Sequence, residues 1–187
     1  MYNGRGKAMY EDLKGKTAIV TGSGKKTGIG YGIAEKLASC GCNVIIADLG
    51  KAPSPEAALK TATSEEMDLI CSGLSGKYGV KTLAVAVDVT DSAAIDRMVQ
   101  SVKEHFDHVD ILCNNAGASF GVPNTVLSYD EKDWIRTVDV NLFSAFRISR
   151  AVIPLMMGKP AAIINTASRA GKVLPFSTVP MPWPKRA

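Results

Sequence analysis

Thr17-Ala18-Ile19-Val20-Thr21-Gly22-Ser23-Gly24-Lys25-Lys26-Thr27-Gly28-Ile29-Gly30 is the stretch that decides the fold. Its first four residues are apolar or β-branched and are stopped by glycines, the pattern of a buried strand. From Gly30 to about Ser39, Ile33, Leu37 and Ala38 share one face at helical spacing. A second apolar run, Asn43-Val44-Ile45-Ile46-Ala47, then ends at Asp48. Strand, glycine-rich turn, helix and strand within about 30 residues make a βαβ unit.

The alternation continues outward from this unit. Residues 50–64 are irregular, with Pro53 and Pro55, and Thr63 with Glu66 forms a capping-box signature for a helix to about Tyr78. Thr82–Val87 reads as strand three, Ser92 to Phe106 as a helix, and Asp110-Ile111-Leu112-Cys113 as strand four. Ser128 and Glu131 form a second capping-box signature, opening a long helix to about Met157. Ala162–Thr166 is strand five. Continuous apolar strands alternating with helices predict a Rossmann-like, doubly wound parallel sheet in three α/β/α layers, truncated after about the fifth strand. Residues 1–13 read as a flexible leader, 14–175 as one nucleotide-binding domain, and 176–187 as a Pro-rich irregular tail.

Composition bounds the function. Apolar residues make up 46% and charged residues 21% of the 187, ordinary for a soluble globular domain. The net charge of +4 is scattered in sign, and Lys25-Lys26 is too short for a nucleic-acid tract. No stretch approaches the roughly 18 apolar residues of a membrane span, and no secretory leader is apparent, so a cytoplasmic location is expected. Cys40, Cys42, Cys71 and Cys113 lack metal or redox spacing and read as small core residues. His105 and His108 read as surface or boundary residues, and no metal site is expected.

Glycines between a first strand and first helix let the backbone turn tightly and approach a pyrophosphate, which then meets the free N–H groups of the helix start. A merely structural turn is the bland alternative. Asp48 follows Gly30 by about 18 residues, near the ~20 expected for a ribose-binding acid. Its carboxylate would accept bonds from the ribose hydroxyls and repel a 2′-phosphate, favouring NAD over NADP, while Lys25 and Lys26 pull the other way. A P-loop reading of Gly-Lys-Lys-Thr fails, because Lys26 intervenes before the threonine.

At five places the residues resemble the short-chain dehydrogenase/reductase family. Thr21-Gly22-Ser23-Gly24 through Gly28-Ile29-Gly30 resembles its cofactor loop, with two extra residues. Asp88-Val89-Thr90-Asp91 resembles its adenine-contacting segment. Asn114-Asn115-Ala116-Gly117 matches its Asn-Asn-Ala-Gly, which supports the sheet and lines the cofactor. Asp139-Val140-Asn141 resembles the segment of the catalytic asparagine, and Ile164-Asn165-Thr166-Ala167-Ser168 the strand end of the catalytic serine. Taken singly, Asn141 could solvate a helix and Ser168 cap a turn. The resemblance implies hydride transfer between NAD(H) and a small-molecule alcohol or carbonyl substrate, with Ser168 bonding the substrate oxygen and Asn141 in a proton relay. It also implies homo-oligomers paired through the long helix and a later helix with no counterpart here, so pairing does not transfer directly to this chain.

The resemblance further implies a tyrosine acid/base on Tyr-x-x-x-Lys, about thirteen residues after the serine. That count from Ser168 reaches Met181, with Lys185 beyond it. Methionine has no exchangeable proton, and Pro180, Pro182 and Pro184 forbid the helix that would carry the pair. The change from family pattern to a Pro-rich basic tail suggests an interrupted or altered reading frame. Three readings stand: an inactive dehydrogenase chain, a non-catalytic dinucleotide-binding module, and an enzyme that takes its tyrosine from elsewhere. For the last, Tyr31 and Tyr129 are expected away from Ser168.

Overall fold

The computed structural model describes residues 10–51 and 61–168. Five parallel strands lie in the order β3-β2-β1-β4-β5: β1 Thr17–Thr21, β2 Asn43–Asp48, β3 Thr82–Ala86, β4 Ile111–Asn114 and β5 Ala162–Asn165. The chain runs outward from β1 to β3, then crosses back to place β4 on the other side of β1. That reversal opens a crevice between the carboxyl ends of β1 and β4, where doubly wound sheets bind ligands.

Successive side chains of a strand point to opposite faces, and here they supply two cores. Ala18, Val20, Val44 and Ile46 face α1 (Ile29–Ser39) and α2 (Ser64–Tyr78), packing against Ala34, Ala38, Met67, Ile70 and Leu74. Ile19, Ile45, Ala47 and Leu112 face the opposite way. They pack on Ile95, Met98 and Val102 of α3 (Ser92–His105) and on Ile148 and Val152 of α5 (Ser144–Met156). Cys42, Cys71 and Cys113 lie within the first core, where burial pushes each thiol up to about 11.

Local chemistry sets the helix starts. Thr63 and Glu66 form the reciprocal capping box that their spacing predicts, and Asp91 caps α3 through the N–H of Ala93. The capping box expected of Ser128 and Glu131 is corrected. Asp130 is the cap of α4 (Glu131–Val138) and accepts from Lys132 N at 2.7 Å, while the Ser128 hydroxyl turns back to Asn124 Oδ1 at 2.5 Å. Aspartate caps as well as serine does, and its charge also suits the positive helix end.

The long helix expected here is interrupted. A π turn over Asp139–Phe143 joins α4 to α5, with the Asp139 carboxylate 2.7 Å from Arg147 across it. The expected leader is shorter at its inner end: Glu11–Leu13 form a 3-10 turn, and Leu13 packs on the first core. Residues 1–9 and the expected tail at 176–187 lie outside the described residues.

Candidate functional site

The carboxyl ends of β1, β2 and β4 are fastened together by side chains that the sequence singles out. The Thr21 hydroxyl accepts from the N–H groups of Asn115 and Ala116, both at 3.0 Å, and donates to Cys113 O. Asn115 in return donates through Nδ2 to the carbonyls of Thr21 and Gly22. Gly22 takes a positive φ of 66° and sends its N–H to Ala47 O at 2.8 Å, tying the loop to β2. Gly30 packs so closely on this latch that an added Cβ would stand 2.6 Å from Asn115 Nδ2 and nearer still to Gly22 O.

Asp48 closes the other side. Its Oδ2 accepts from Gly24 N and its Oδ1 from Leu49 N, each at 2.8 Å, so the carboxylate is held at the loop by two backbone donors. Each oxygen retains a lone pair for a further donor. Asp88 is held by Thr90, whose N–H and hydroxyl both donate to Asp88 Oδ1.

These elements enclose a cleft of about 460 Å³. Of the residues expected at a cofactor, Gly28, Asp48, Asp88, Val89, Asn115, Ala116 and Gly117 line it. Thr21, Gly24, Ile29 and Gly30 do not; Thr21, Gly24 and Gly30 support the lining from behind, and Ile29 is exposed. Lys25 lines the cleft and Lys26 does not.

The helix starts around the cleft differ. The side chains of Thr63, Asp91 and Asp130 cap α2, α3 and α4, whereas α1 begins at Gly28 with no capping side chain and no acid in its first turn. A Cβ on Gly28 would meet only Lys25 O, at 3.2 Å. The first amides of α1 therefore keep donors for an anion.

Asn141 sits buried in the π turn, donating to Ala118 O at 2.5 Å and Thr137 O at 2.7 Å, with its Oδ1 buried and without a hydrogen-bond partner among the described residues. Its neighbours Asp139 and Val140 line the cleft, while Asn141 and the half-buried Ser168 do not. Tyr31 lies on α1, and the Tyr129 hydroxyl donates to Phe120 O, so neither lines the cleft. Leu49, Thr61, Phe120 and Arg136 also line it and carry no motif of their own.

A family model described as short chain dehydrogenase matches residues 16–180. The chain belongs to the short-chain dehydrogenase family. Among relatives of this short-chain dehydrogenase is the 3-oxoacyl-[acyl-carrier-protein] reductase FabG of Escherichia coli. It is 34% identical over 148 residues, 79% of this chain and 52% of the reductase. Glucose 1-dehydrogenase 2 of Bacillus subtilis is 34% identical over 149 residues, 80% of this chain and 52% of that enzyme. The L-sorbose reductase of Gluconobacter frateurii, solved with NADPH and L-sorbose, superposes with a TM-score of 0.80 at 29% identity. That match covers 95% of this chain and 61% of the reductase. An NAD+-bound xylitol dehydrogenase gives 0.77 at 29% identity, over 92% of this chain and 60% of that one. The short-chain dehydrogenase chain thus spans about half the length of the curated relatives it matches. Among its described residues no helix is long and apolar enough to cross a membrane.

Proposed function

We propose that this chain binds a nicotinamide dinucleotide, NAD in preference to NADP, in the cleft between β1, β2 and β4. The observation that carries the reading is the uncapped start of α1 at Gly28, beside a cleft lined by Asp48 and Asp88. The amides of α1 and Gly28 would hold the pyrophosphate, because a helix start without a capping side chain still offers its N–H groups. Asp48, fixed by Gly24 N and Leu49 N, would receive the adenosine ribose hydroxyls and repel a 2′-phosphate. Asp88 and Val89 would border the base, and Asn115 to Gly117 the nicotinamide side. Bound, the cofactor supplies hydride chemistry on an alcohol or carbonyl carbon.

Within the same reading, Ser168 would hold the substrate oxygen, and Asn141 keeps the cleft wall at Ala118 in place. The family reaction also needs a proton moved at that oxygen. Met181 stands where the sequence count places the acid/base, and it lies outside the described residues. These 187 residues therefore bind the cofactor and do not turn substrate over. A non-catalytic dinucleotide-binding module is the corresponding role.

Fluorescence titration with NADH and NADPH, followed by a turnover assay on a panel of alcohols and ketones, tests both statements. Saturable NADH binding with weaker NADPH binding and no turnover is expected. Absence of binding sinks the cofactor reading, and measurable turnover sinks the inactivity. Asp48→Ala should then narrow the preference for NADH over NADPH by about tenfold, the loss of roughly 1.4 kcal/mol of discrimination.

A further inference from the structure

We propose that Arg136 is a specificity-determining residue for the adenine base, its guanidinium seated over the Phe120 ring and stacking on the purine from the cleft side. The inference rests on the dinucleotide reading above and adds a residue to it. Arg136 and Phe120 both line the cleft, and the guanidinium carbon stands 3.9 Å from the ring centroid, within cation–π distance.

The platform is fastened on three sides. Phe120 N donates to Thr137 Oγ1 at 3.2 Å, the Tyr129 hydroxyl donates to Phe120 O at 2.5 Å, and Asn141 holds Ala118 O two residues earlier. Segment 118–120, and with it the Phe120 ring, is thereby fixed to the helix that carries Arg136. Asp139, on the same wall, and Asp91 are paired elsewhere, with Arg147 and Arg97. Arg136 makes no ion pair among the described residues.

A free cation beside a cleft could serve a phosphate or a flat base. The wall decides for the base. Val87 and Val89 from the β3 side and Val140 from the helix side give the same cleft apolar surfaces, and Asp48 and Asp88 put negative charge on its floor. A second phosphate is disfavoured there, whereas an uncharged heteroaromatic ring fits between valines and a planar cation. Arginine stacks on bases through its plane, which lysine lacks.

Isothermal titration of ADP and NADH against the wild-type chain, Arg136→Ala and Arg136→Lys tests the inference. Arg136 is exposed, so circular dichroism and Tm of the variants should match wild type, which checks that they fold. Arg136→Ala should weaken ADP and NADH equally, by about tenfold, and Arg136→Lys nearly as much, because the plane is lost while the charge stays. Wild-type affinity in Arg136→Ala, or full recovery in Arg136→Lys, overturns the stacking role while leaving dinucleotide binding intact. A wild-type chain that binds neither ADP nor NADH overturns the dinucleotide reading and this inference together. Phe120→Leu provides a second check: it should reproduce part of the loss in a chain that keeps Arg136.

Discussion

The two sides of the sheet are built to different standards. From β1 outward to β3, the chain closes on itself: all five residues of β1 are buried, and both faces of β2 are covered by helices. From β4 outward to β5, it does not. All four residues of β5 are exposed, and so are Ile135 of α4, Leu142 of the π turn, and Phe146 and Ile153 of α5. Leu142, Phe146 and Ile153 recur at intervals of four and seven, so they form one apolar stripe from the π turn along α5. The cleft lies between the two, taking Gly28, Asp48 and Asp88 from the closed side and Asn115, Ala116 and Gly117 from the end of β4. The glycine loop is rigid where the strands and helices around it are fully packed, and the latch from Asn115 and Ala116 at the end of β4 completes it.

The comparison is broken most directly at Gly30. A methyl group there would press on the Gly22 carbonyl and the Asn115 side chain, and the backbone atom cannot rotate away. Gly30→Ala should cost about 3 kcal/mol of stability and abolish NADH binding, measured by urea unfolding and titration. A small loss would mean that the loop is looser than its hydrogen bonds suggest.

Thr21→Val tests the latch between β1 and β4 at nearly constant volume. It leaves the N–H groups of Asn115 and Ala116 without their acceptor, and about 2 kcal/mol should be lost. Thr21→Ser, which restores the hydroxyl, should recover most of it. If serine does not, packing of the methyl rather than the hydrogen bonds holds the two strand ends.

On the open side the expected effect is on association rather than folding. We expect the stripe to pair with a second apolar surface, and Phe146, at 62% exposure, lies in its middle. Phe146→Glu should change monomer stability by less than about 0.5 kcal/mol and lower the sedimentation coefficient of any oligomer. A wild-type chain that already sediments as a monomer would show that the stripe alone does not drive pairing.

The same division governs what the sequence reveals. The strands of the closed side are legible because both faces are buried, which forces unbroken runs such as Val44-Ile45-Ile46, and Thr63 with Glu66 announces a helix start by local chemistry alone. The π turn at Asp139–Phe143 has no such signature. Its residues suit an α-helix equally well, and the extra residue is set by tertiary contacts of Asn141 and Arg147. Ser128 misleads because Asp130, two residues on, offers a competing cap. Part of the cleft is legible from the glycines, Asp48, Asp88 and Asn115. Phe120 and Arg136 are not, since only folding brings a loop residue and a helix residue of unremarkable types to one wall.

The smallest expected effect lies on the outer surface of the closed side, where Lys77 Nζ of α2 reaches Glu35 Oε1 of α1 at 3.0 Å and the Tyr78 hydroxyl meets the same oxygen at 3.2 Å. The bond from Lys77 is the leading reason that the Glu35 carboxyl is held below its ordinary value of 4.5. A carboxyl lowered by folding stabilises the native state above its unfolded pKa, and the contribution disappears as pH falls through the folded one. Thermal melts of wild type and Glu35→Gln should therefore differ slightly near neutral pH and converge as the pH drops below about 4.5. Because Lys77 is exposed and Glu35 only half-buried, the difference should also shrink at about 1 M salt. A gap that persists at low pH and in salt would mean that Glu35 holds the α1–α2 contact through neutral hydrogen bonds to Tyr78, and that the closed side owes nothing there to charge.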